Sequence, residues 1–472
     1  MLFASTSDPL IRKQDLDRVQ LAEGARKARF AARSIMLDGD IKELVRQGIR
    51  QIFKNPQNAA KVAIQADTSC NVFRYVAEEI YRYPGARRAF VPAADSDAFD
   101  PAGERDPDRI WAALTKNQDP TFRRLLAKEL NLDLVMAEAL LSVGALNDAV
   151  IEVLPGLVRG DVIGPPRVRV FRPHEITVIP DPDEPGRPGV VIYDWPRPDG
   201  AKWRVVWTAG WHYYLNDKGV IVQVPGNEGL KNPFGFLPFV PVHNGLREHG
   251  FWDQTTGQDL FEATISLEVG WSSIGHALQF SSFAQPILTG VRKEDKGTAP
   301  TAIDPAMLWT LPDGVDAKTL DLHADLAGMQ GAQKQRLGQA VASYSLLVED
   351  VIGNPGQAPP SGLSRAVKRQ PLIERRERLY PFVEEAEFAL AALVRWAWNF
   401  HHEDAIPEDH VFELQFLPEA IRLSPIDEED LRRKRLENRK LELEVAALER
   451  AAVQTPAPPA GGPPPPAPPE VA

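Results

Sequence analysis

The chain has 472 residues, of which 43% are hydrophobic and 25% are charged, the composition of a soluble globular protein with more than one domain. Its formal net charge of −11 excludes a protein that grips nucleic acid over most of its surface. The single cysteine, Cys70, excludes an internal disulfide and fits a reducing cytoplasm, and we expect neither a secretory signal nor a membrane span.

The N-terminal third of the chain predicts helices. Residues 1–70 mix basic and acidic side chains, which predicts helices with loose ends. Residues 70–83 have an amphipathic pattern that ends at a Pro-Gly pair, an expected helix stop. Residues 92–107 are rich in Asp, Ala and Pro and predict an exposed loop. The apolar period of a helix returns at residues 122–146.

From residue 150 the pattern changes to that of strands separated by Pro, Gly and Asp turns. The predicted strands are residues 150–154, 167–171, 175–179, 190–195, 203–207, 211–215 and 220–224. The sequence from Asn216 to Gly219 predicts a hairpin turn. Residues 150–245 are therefore an antiparallel β region inserted between helices. The prolines of residues 232–244 predict an edge or irregular strand at its end.

Two helices rich in small residues follow, and an uncharged loop ends the second of them. The helices are predicted at residues 258–282 and 324–350, with short strands between them at 286–289, 307–311 and 317–320. The loop, residues 351–360, holds two glycines and three prolines, so helix cannot run through it. A long helix is predicted from residue 361 to about 403, kinked or interrupted at Pro371 and Pro381.

The C-terminal part predicts a strand, a charged helix and a tail. Residues 411–417 form a late strand that we expect to return to the earlier sheet. Residues 427–450 are a charged helix, and residues 455–472, made mostly of Pro, Ala and Gly, predict a disordered or polyproline-like tail. The fold class predicted from these elements is α+β.

Little in the sequence predicts an enzyme. There is no phosphate loop, no Gly-x-Ser-x-Gly and no dinucleotide fingerprint. The polar group around His401, His402, Glu403, Asp404 and His410 is the one candidate metal site, and an α+β metal-dependent hydrolase is the main alternative function. Adjacent histidines on a helix point about 100° apart, so both cannot face one ion unaided. We therefore predict no catalytic residue, no metal and no cofactor.

The small-residue helices and a basic cluster carry more information, and each has two interpretations. Glycine costs up to about 1 kcal/mol in a helix relative to alanine, so its repeated use predicts close helix packing, either inside one subunit or among many subunits around an axis. The basic cluster follows the loop and is either a solvated helix face with internal salt bridges or a contact to a polyanion or another subunit. Its members are Arg365, Lys368, Arg369, Arg375 and Arg376.

The order of these elements resembles that of a portal protein of a tailed double-stranded DNA bacteriophage or prophage. The sequence Ser361-Gly-Leu-Ser-Arg365 opens the long helix directly after the Gly/Pro loop. The sequence Pro286-Ile-Leu-Thr-Gly290 follows the first small-residue helix, and the Leu-Pro-Asp-Gly-Val-Asp hairpin at 311–316 leads into the second. The resemblance spans roughly residues 60–425.

The resemblance implies a ring, usually of twelve subunits, at one vertex of a virion capsid and assembled in the host cytoplasm. It implies a mixed α/β wing (1–257 and 362–424), stem helices (258–283 and 324–350), a clip (284–323), a tunnel loop (351–361) and a crown-like helix (425–454), while the tail (455–472) departs from the family pattern. It also implies partners: double-stranded DNA, the terminase large subunit as packaging motor, a head-tail adaptor, the major capsid protein and a scaffold protein, with no membrane. A neck adaptor or capsid subunit stays open as another virion component.

The resemblance also implies which residues face the DNA. The tunnel-loop candidates are Gly353, Asn354, Pro355, Gly356, Gln357, Ala358, Pro359 and Pro360, and the stem candidates are Lys334 and Arg336. DNA carries about one charge per 1.7 Å of its axis, so a strongly basic lining would hold it still. The second stem helix has only those two basic residues, which suits a conduit along which DNA slides.

Overall fold

A computed structural model of the chain describes residues 13–64, 66–92, 125–159, 162–197, 200–224, 229–248, 250–281, 285–289, 316–320, 325–347, 351, 362–402 and 406–417. The chain divides into two compact units. The first is Met1–Pro355 with Arg369–Glu419, and the second is Gly356–Lys368 with Ala420–Ala472. The contacts described below all lie within the first unit, which is an α+β fold.

Helices and antiparallel strands alternate in blocks along the chain. The described helices are α1 (Lys13–Asp38), α2 (Lys42–Ile52), α3 (Pro56–Ile64), α4 (Val72–Ile80), α5 (Leu132–Leu146), α6 (Gln258–Ser281), α7 (Leu326–Ala342), α8 (Gly362–Glu377) and α9 (Tyr380–Asn399). The described strands are β1 (Ala86–Pro92), β2 (Asp148–Leu154), β3 (Val158–Arg159), β4 (Val162–Ile163), β5 (Arg167–Phe171), β6 (Ile176–Pro180), β7 (Pro188–Pro196), β8 (Lys202–Thr208), β9 (His212–Leu215), β10 (Ile221–Val222), β11 (Phe239–His243), β12 (Gln285–Thr289), β13 (Asp316–Leu320) and β14 (His410–Phe416).

One apolar core lies among α1, α2, α3, α4, α6 and α7. The buried face of α2 includes Val45 and Ile49, spaced by four residues as an amphipathic helix requires. Gly48 lies between them, and a Cβ there would sit 2.8 Å from a methyl carbon of Ile265 in α6. The missing side chain therefore lets α2 and α6 approach closely, which a larger residue would prevent.

A three-stranded sheet, in the order β11-β2-β5, forms the second core. Alternate residues of β2 point to its two faces: Ile151 and Val153 pack with α5 and α9, whereas Val150 packs against the neighbouring five-stranded sheet. Glu152 also points to that sheet, where it accepts a 2.7 Å hydrogen bond from the hydroxyl of Tyr193. Strand β2 is thus buried on both sides, which explains its nearly continuous apolar sequence.

The described strands of the predicted β region divide into three sheets, the three-stranded sheet, a five-stranded sheet and the short β3–β4 pair. Strands β6 to β10 form a five-stranded antiparallel meander, and Gly219, at a φ of +72°, completes the turn predicted from Asn216. Strand β11 is an edge strand, as its prolines predicted. Pro241 lies opposite Val150, a position whose backbone N–H points away from β2, because the adjacent pairs make the ladder bonds. The missing N–H therefore costs no ladder bond.

The late strand does not return to the earlier sheet, and this part of the prediction is wrong. Strand β14 pairs with β1 along its whole length, from Ala86 opposite Phe416 to Pro92 opposite His410. Both strands pack on α9 and α5 through Phe90 and Phe412, whose ring centroids lie 5.4 Å apart. Strand β1 lies before the β region in the sequence, so only the tertiary structure selects this partner.

Three predicted helices are shorter than their patterns suggested. Asn131, at a φ of +46°, separates a π-helical turn (Leu125–Glu129) from α5. The long helix after the loop is two helices, α8 and α9: it runs through Pro371, but Pro381 lies in the first turn of α9, where no backbone donor is needed. The third, α7, ends at Ala342 rather than at residue 350.

Several predicted elements lie outside the described residues. They are residues 93–107 of the exposed loop, the strand at 307–311, the charged helix at 427–450 and the tail at 455–472. Strands β12 and β13, which come before and after the predicted strand at 307–311, pair antiparallel from Gln285 opposite Leu320 to Thr289 opposite Asp316.

Candidate functional site

Helix α7 is held to the protein by one narrow line of side chains. Its buried residues, Gln333, Leu337 and Val341, are four positions apart and contact α6 and the core around it. At about 100° per residue, the opposite face carries a different set of side chains, all of them exposed and none of them charged. These residues are Gly331, Ala332, Gln335, Gln339 and Ala342.

The glycines of the two small-residue helices have different explanations. A Cβ on Gly270 of α6 would lie 2.2 Å from the side-chain amide nitrogen of Gln333, so the Gln333 side chain packs directly on that glycine in the contact between α6 and α7 within one subunit. A Cβ on Gly331 of α7 would meet nothing within 4 Å. Packing within the subunit therefore accounts for Gly270. It does not account for Gly331, although glycine lowers helix stability by about 1 kcal/mol relative to alanine at such a position.

Lys334 and Arg336, the predicted stem charges, do not act as a pair. Both side chains are exposed, but two residues along a helix are about 200° apart. They therefore flank the buried line on its two sides and leave the uncharged face between them. Their assignment to the lining of a channel stays a prediction.

The end of α7 is set by Ser345, which has a φ of +61°. The backbone N–H of Leu346 donates to the carbonyl of Val341 at 3.1 Å, and that of Ser345 donates to Ala342 at 3.0 Å. These two bonds form a Schellman motif, and the buried side chain of Leu346 anchors it to the core. The helix stops here because the left-handed residue and the anchored leucine reverse the chain direction.

Replacing Ser345 by glycine is expected to raise the free energy of unfolding by up to about 1 kcal/mol, because glycine adopts the left-handed conformation without the clash of a Cβ. Urea unfolding followed by circular dichroism measures the change. Ser343→Gly is the matched control, since Ser343 has a helical φ of −62° and glycine there is expected to destabilise the protein. Equal effects of the two substitutions would contradict this account of the helix end.

The chain on both sides of the predicted tunnel loop is fixed to α4 and α6. On one side, the Tyr344 hydroxyl donates to Asp259 at 3.2 Å, and burial together with this carboxylate raises the pKa of Tyr344 to about 12. The guanidinium of Arg375 lies 5.0 Å from the centre of the Tyr344 ring and donates to the Ser343 carbonyl at 3.2 Å. On the other side, Arg376 donates to the Glu79 carbonyl at 2.7 Å.

The basic cluster is therefore not one surface. Arg376 is buried and paired with Glu79, and burial lowers its pKa. Arg375 is half-buried against Tyr344, and Arg369 is exposed. The side chains of Arg365 and Lys368 lie outside the described residues, although α8 includes both positions. At least two of the five predicted positive charges hold the protein together instead of facing a ligand.

The loop itself, from Gly353 to Pro360, lies outside the described residues. A cavity of about 660 Å³ is lined by residues from α4, α8, the turn after α7 and the segment after β11. Its polar lining includes Arg375, Arg378, Asp253 and Glu374. This cavity places both positive and negative groups beside Ser345, three residues after the end of α7.

The histidines that suggested a metal site have other partners. The ring of His402 stacks on Trp398 with centroids 3.6 Å apart, and its Nδ1 lies 3.0 Å from the Trp398 carbonyl oxygen. His410 Nδ1 lies 3.1 Å from a carboxylate oxygen of Asp409. The part of the chain that the structure describes, which omits Glu403 and Asp404, holds no group of three or more potential metal ligands. None of the described helices is long and apolar enough to cross a membrane.

Asp148 and Glu268 are among the buried acidic residues that were not recognised in the sequence. Asp148, fully buried at the start of β2, lies 2.6 Å from Arg247, 2.7 Å from His243 and accepts the backbone N–H of Asp253. Glu268 of α6 is also buried, and its Oε1 accepts the backbone N–H of Cys70. Burial, followed by the nearby charge of Asp67, raises the pKa of Glu268 to about 7. The sequence did contain a signal for Glu268, namely an acidic residue inside a helix made mostly of apolar and small residues.

No protein-family model matches the chain, and no curated protein matches it. Among solved structures, it is similar to a chain in the virion of a native gene transfer agent (GTA) particle, with a TM-score of 0.38 and 13% identity over 84% of this chain and 88% of that one. A chain in the neck of an empty GTA particle, computed with C6 symmetry, has a TM-score of 0.38 and 13% identity over 82% and 87% of the two chains. A chain in the neck of a native GTA particle, computed with C12 symmetry, has a TM-score of 0.36 and 12% identity over 80% and 85%.

Proposed function

We propose that the chain is the subunit of a portal, the ring at one capsid vertex through which double-stranded DNA is packaged and ejected. The observation that carries this proposal is the outward face of α7. A surface helix normally turns charged residues to water, but this one turns glycine, alanine and glutamine outward. Such a face suits the close approach of another helix and the passage of a charged cargo.

The length and charge of α7 fit a conduit for DNA. Its 17 residues extend about 26 Å and would pass about 15 phosphates of a duplex. Each phosphate contact by a lysine or arginine adds salt-dependent affinity, so many such contacts would stop movement. With Lys334 and Arg336 on different sides of the helix, a passing duplex meets few cations from each subunit.

In this proposal α6 and α7 form the stem, the β12–β13 pair belongs to the clip, and residues 1–257 with 362–424 form the wing. The loop 351–361 is assigned to the contact with DNA, and Tyr344, Arg375 and Arg376 hold described residues on its two sides in the sequence. Twelve copies form the ring, which binds the packaging motor through the clip and later an adaptor of the neck.

The ring is the first test of this function. Mass photometry and negative-stain microscopy of the purified full chain are expected to give a particle of about twelve subunits with a central pore. A stable monomer at micromolar concentration and physiological salt would overturn the proposal.

The loop is the second test. Deleting residues 353–360 is expected to leave the mass of the ring unchanged and to reduce the DNA retained in capsids during packaging in vitro. Replacing the same residues by an equally long Gly/Ser segment separates the length of the loop from its chemistry. A deletion variant that fails to form rings would instead assign the loop a structural role.

A further inference from the structure

The two edges of the three-stranded sheet differ in charge. Strand β5 is one edge and β11 is the other, and the strands of one sheet lie side by side about 4.8 Å apart. The two edges therefore face in opposite directions. On the β5 edge, Arg167 and Arg169 are both exposed.

A short hairpin, β3–β4, joins β2 to β5, and several of its described residues are apolar and exposed. Leu157, Val158 and Val162 are exposed there, Val162 to 69%. The arms touch at the base of the hairpin, because a Cβ on Gly156 would lie 1.8 Å from the carbonyl oxygen of Gly164. Residues 155–169 hold three arginines and one aspartate, a net charge of +2. Residues 155–169, which comprise the hairpin and the first residues of β5, therefore combine exposed apolar side chains with a net positive charge.

The β11 edge opens into a groove of about 790 Å³. Phe239 and Pro241 of β11 form one wall, and Ala389 and Ala392 of α9 form another. Leu246, 83% exposed, stands at its margin. The groove is thus apolar and open to solvent, and its small residues on α9 leave room for branched side chains.

The rim of this groove is acidic. Arg187 is neutralised by Glu184 at 2.7 Å, and Arg247 is neutralised by the buried Asp148. Asp183 and Glu385 also line the groove, and neither forms an ion pair with the described part of the chain. These two carboxylates leave a net negative charge, which is complementary to the net positive charge of residues 155–169, where Arg167 and Arg169 of β5 are exposed.

A second groove, on α2 and α3, has the opposite charge and serves as a comparison. It measures about 580 Å³ and its rim carries Arg46, Arg50 and Lys54. Arg46 and Arg50 both pair with Glu43, at 3.6 and 3.1 Å, so one negative charge offsets part of the three positive charges and the rim stays positive. Its apolar lining, which includes the exposed Ile64, resembles that of the β11 groove. The positive charge of residues 155–169 would be repelled by the positive rim of the groove on α2 and α3, so charge distinguishes the two grooves.

We propose that the β3–β4 hairpin of one copy docks into the β11 groove of the next copy. Every copy carries both surfaces on opposite edges of one sheet, so the contact is head-to-tail. A head-to-tail contact closes into a ring when the rotation between neighbours divides a full turn. The inference rests on the proposed ring function, to which it adds the contact that links neighbouring subunits away from α7.

Crosslinking tests this contact in the full-length protein. In a Cys70→Ser background, which has no other cysteine, Val162→Cys and Ala389→Cys are combined in one chain and treated with a short bismaleimide. Head-to-tail docking is expected to give a ladder of covalent oligomers on a denaturing gel. The matched control combines Val162→Cys with Ile64→Cys, in the basic groove, and is expected to give no ladder.

Charge reversal provides a second measurement. Arg167→Glu is expected to weaken the contact, so that its rings dissociate on dilution at a protein concentration about tenfold higher than wild-type rings do. The additional substitution Glu385→Arg is expected to restore assembly. Rings of normal mass without the ladder, or without rescue by the double substitution, would overturn this contact and leave the portal proposal intact. A monomeric wild-type chain would instead overturn the portal proposal itself.

Discussion

Replacing Arg88 by methionine is expected to lower the free energy of unfolding by about 3 to 5 kcal/mol. Arg88 of β1 binds Glu387 of α9 with two hydrogen bonds, Nε to Oε2 at 2.8 Å and a terminal nitrogen to Oε1 at 2.6 Å. Glu387 is fully buried and Arg88 is nearly so. Methionine keeps the apolar stem of Arg88 but leaves the Glu387 carboxylate buried without its counter-charge.

Two controls separate this effect from the loss of any ion pair. Arg74→Met removes an exposed pair with Glu78 and is expected to cost about 0.5 kcal/mol or less. The double substitution Arg88→Met with Glu387→Leu is expected to recover much of the loss, because no buried charge then remains. Urea unfolding of the four proteins measures each difference, and a loss in Arg88→Met no larger than that in Arg74→Met would contradict the prediction.

Replacing Glu268 by glutamine is expected to stabilise the protein at pH 8 by about 3 kcal/mol and at pH 5 by less than about 1 kcal/mol. The pKa of Glu268 is raised to about 7 from an ordinary value of 4.5. The folded state therefore binds this proton more tightly than the unfolded state does. The free energy of unfolding falls as the pH rises from about 4.5 to about 7. Above that range the carboxylate is ionised in both states, and the loss of stability reaches its full size.

Glutamine imitates the protonated carboxyl and can still accept the backbone N–H of Cys70, so the variant should lack this loss of stability at high pH. The groups facing Glu268 are Cys70 and Asp67, and the burial that raises the pKa of Glu268 also raises that of Cys70 to about 11. Glu262→Gln, at an exposed position of the same helix, is the control and should change stability by less than about 0.5 kcal/mol at either pH. A difference between wild type and Glu268→Gln that is independent of pH would rule out the titration of this residue.

Local patterns were sufficient for many individual elements. The first small-residue helix was predicted to within one residue of α6, and the turn from Asn216 to Gly219 was predicted correctly. The edge position of the strand containing Pro241 was also predicted correctly. In each case the signal is a property of adjacent residues, namely a helical period, a glycine that accepts a positive φ or a proline without a donor.

Contacts between distant residues decided what the patterns did not. The helical pattern of α7 continues to residue 350, but Ser345 adopts a left-handed conformation because Leu346 packs into the core. The basic residues of the cluster after the loop are close together in sequence. Arg376 is nevertheless buried, because it binds Glu79, almost 300 residues earlier in the chain. Helical geometry alone, applied to the buried line of α7, separates Lys334 from Arg336.

By itself, the amino-acid sequence determined the α+β class, the order of the elements and the uncharged character of α7, since these depend on composition and on periods of two to four residues. The tertiary structure alone decided that β14 pairs with β1, that Arg88 and Glu387 form a buried pair, and that two exposed arginines and an acidic groove occupy opposite edges of one sheet. The physical reason is that burial and the pairing of charges are properties of residues brought together from distant parts of the chain, and no local period records which of them will meet.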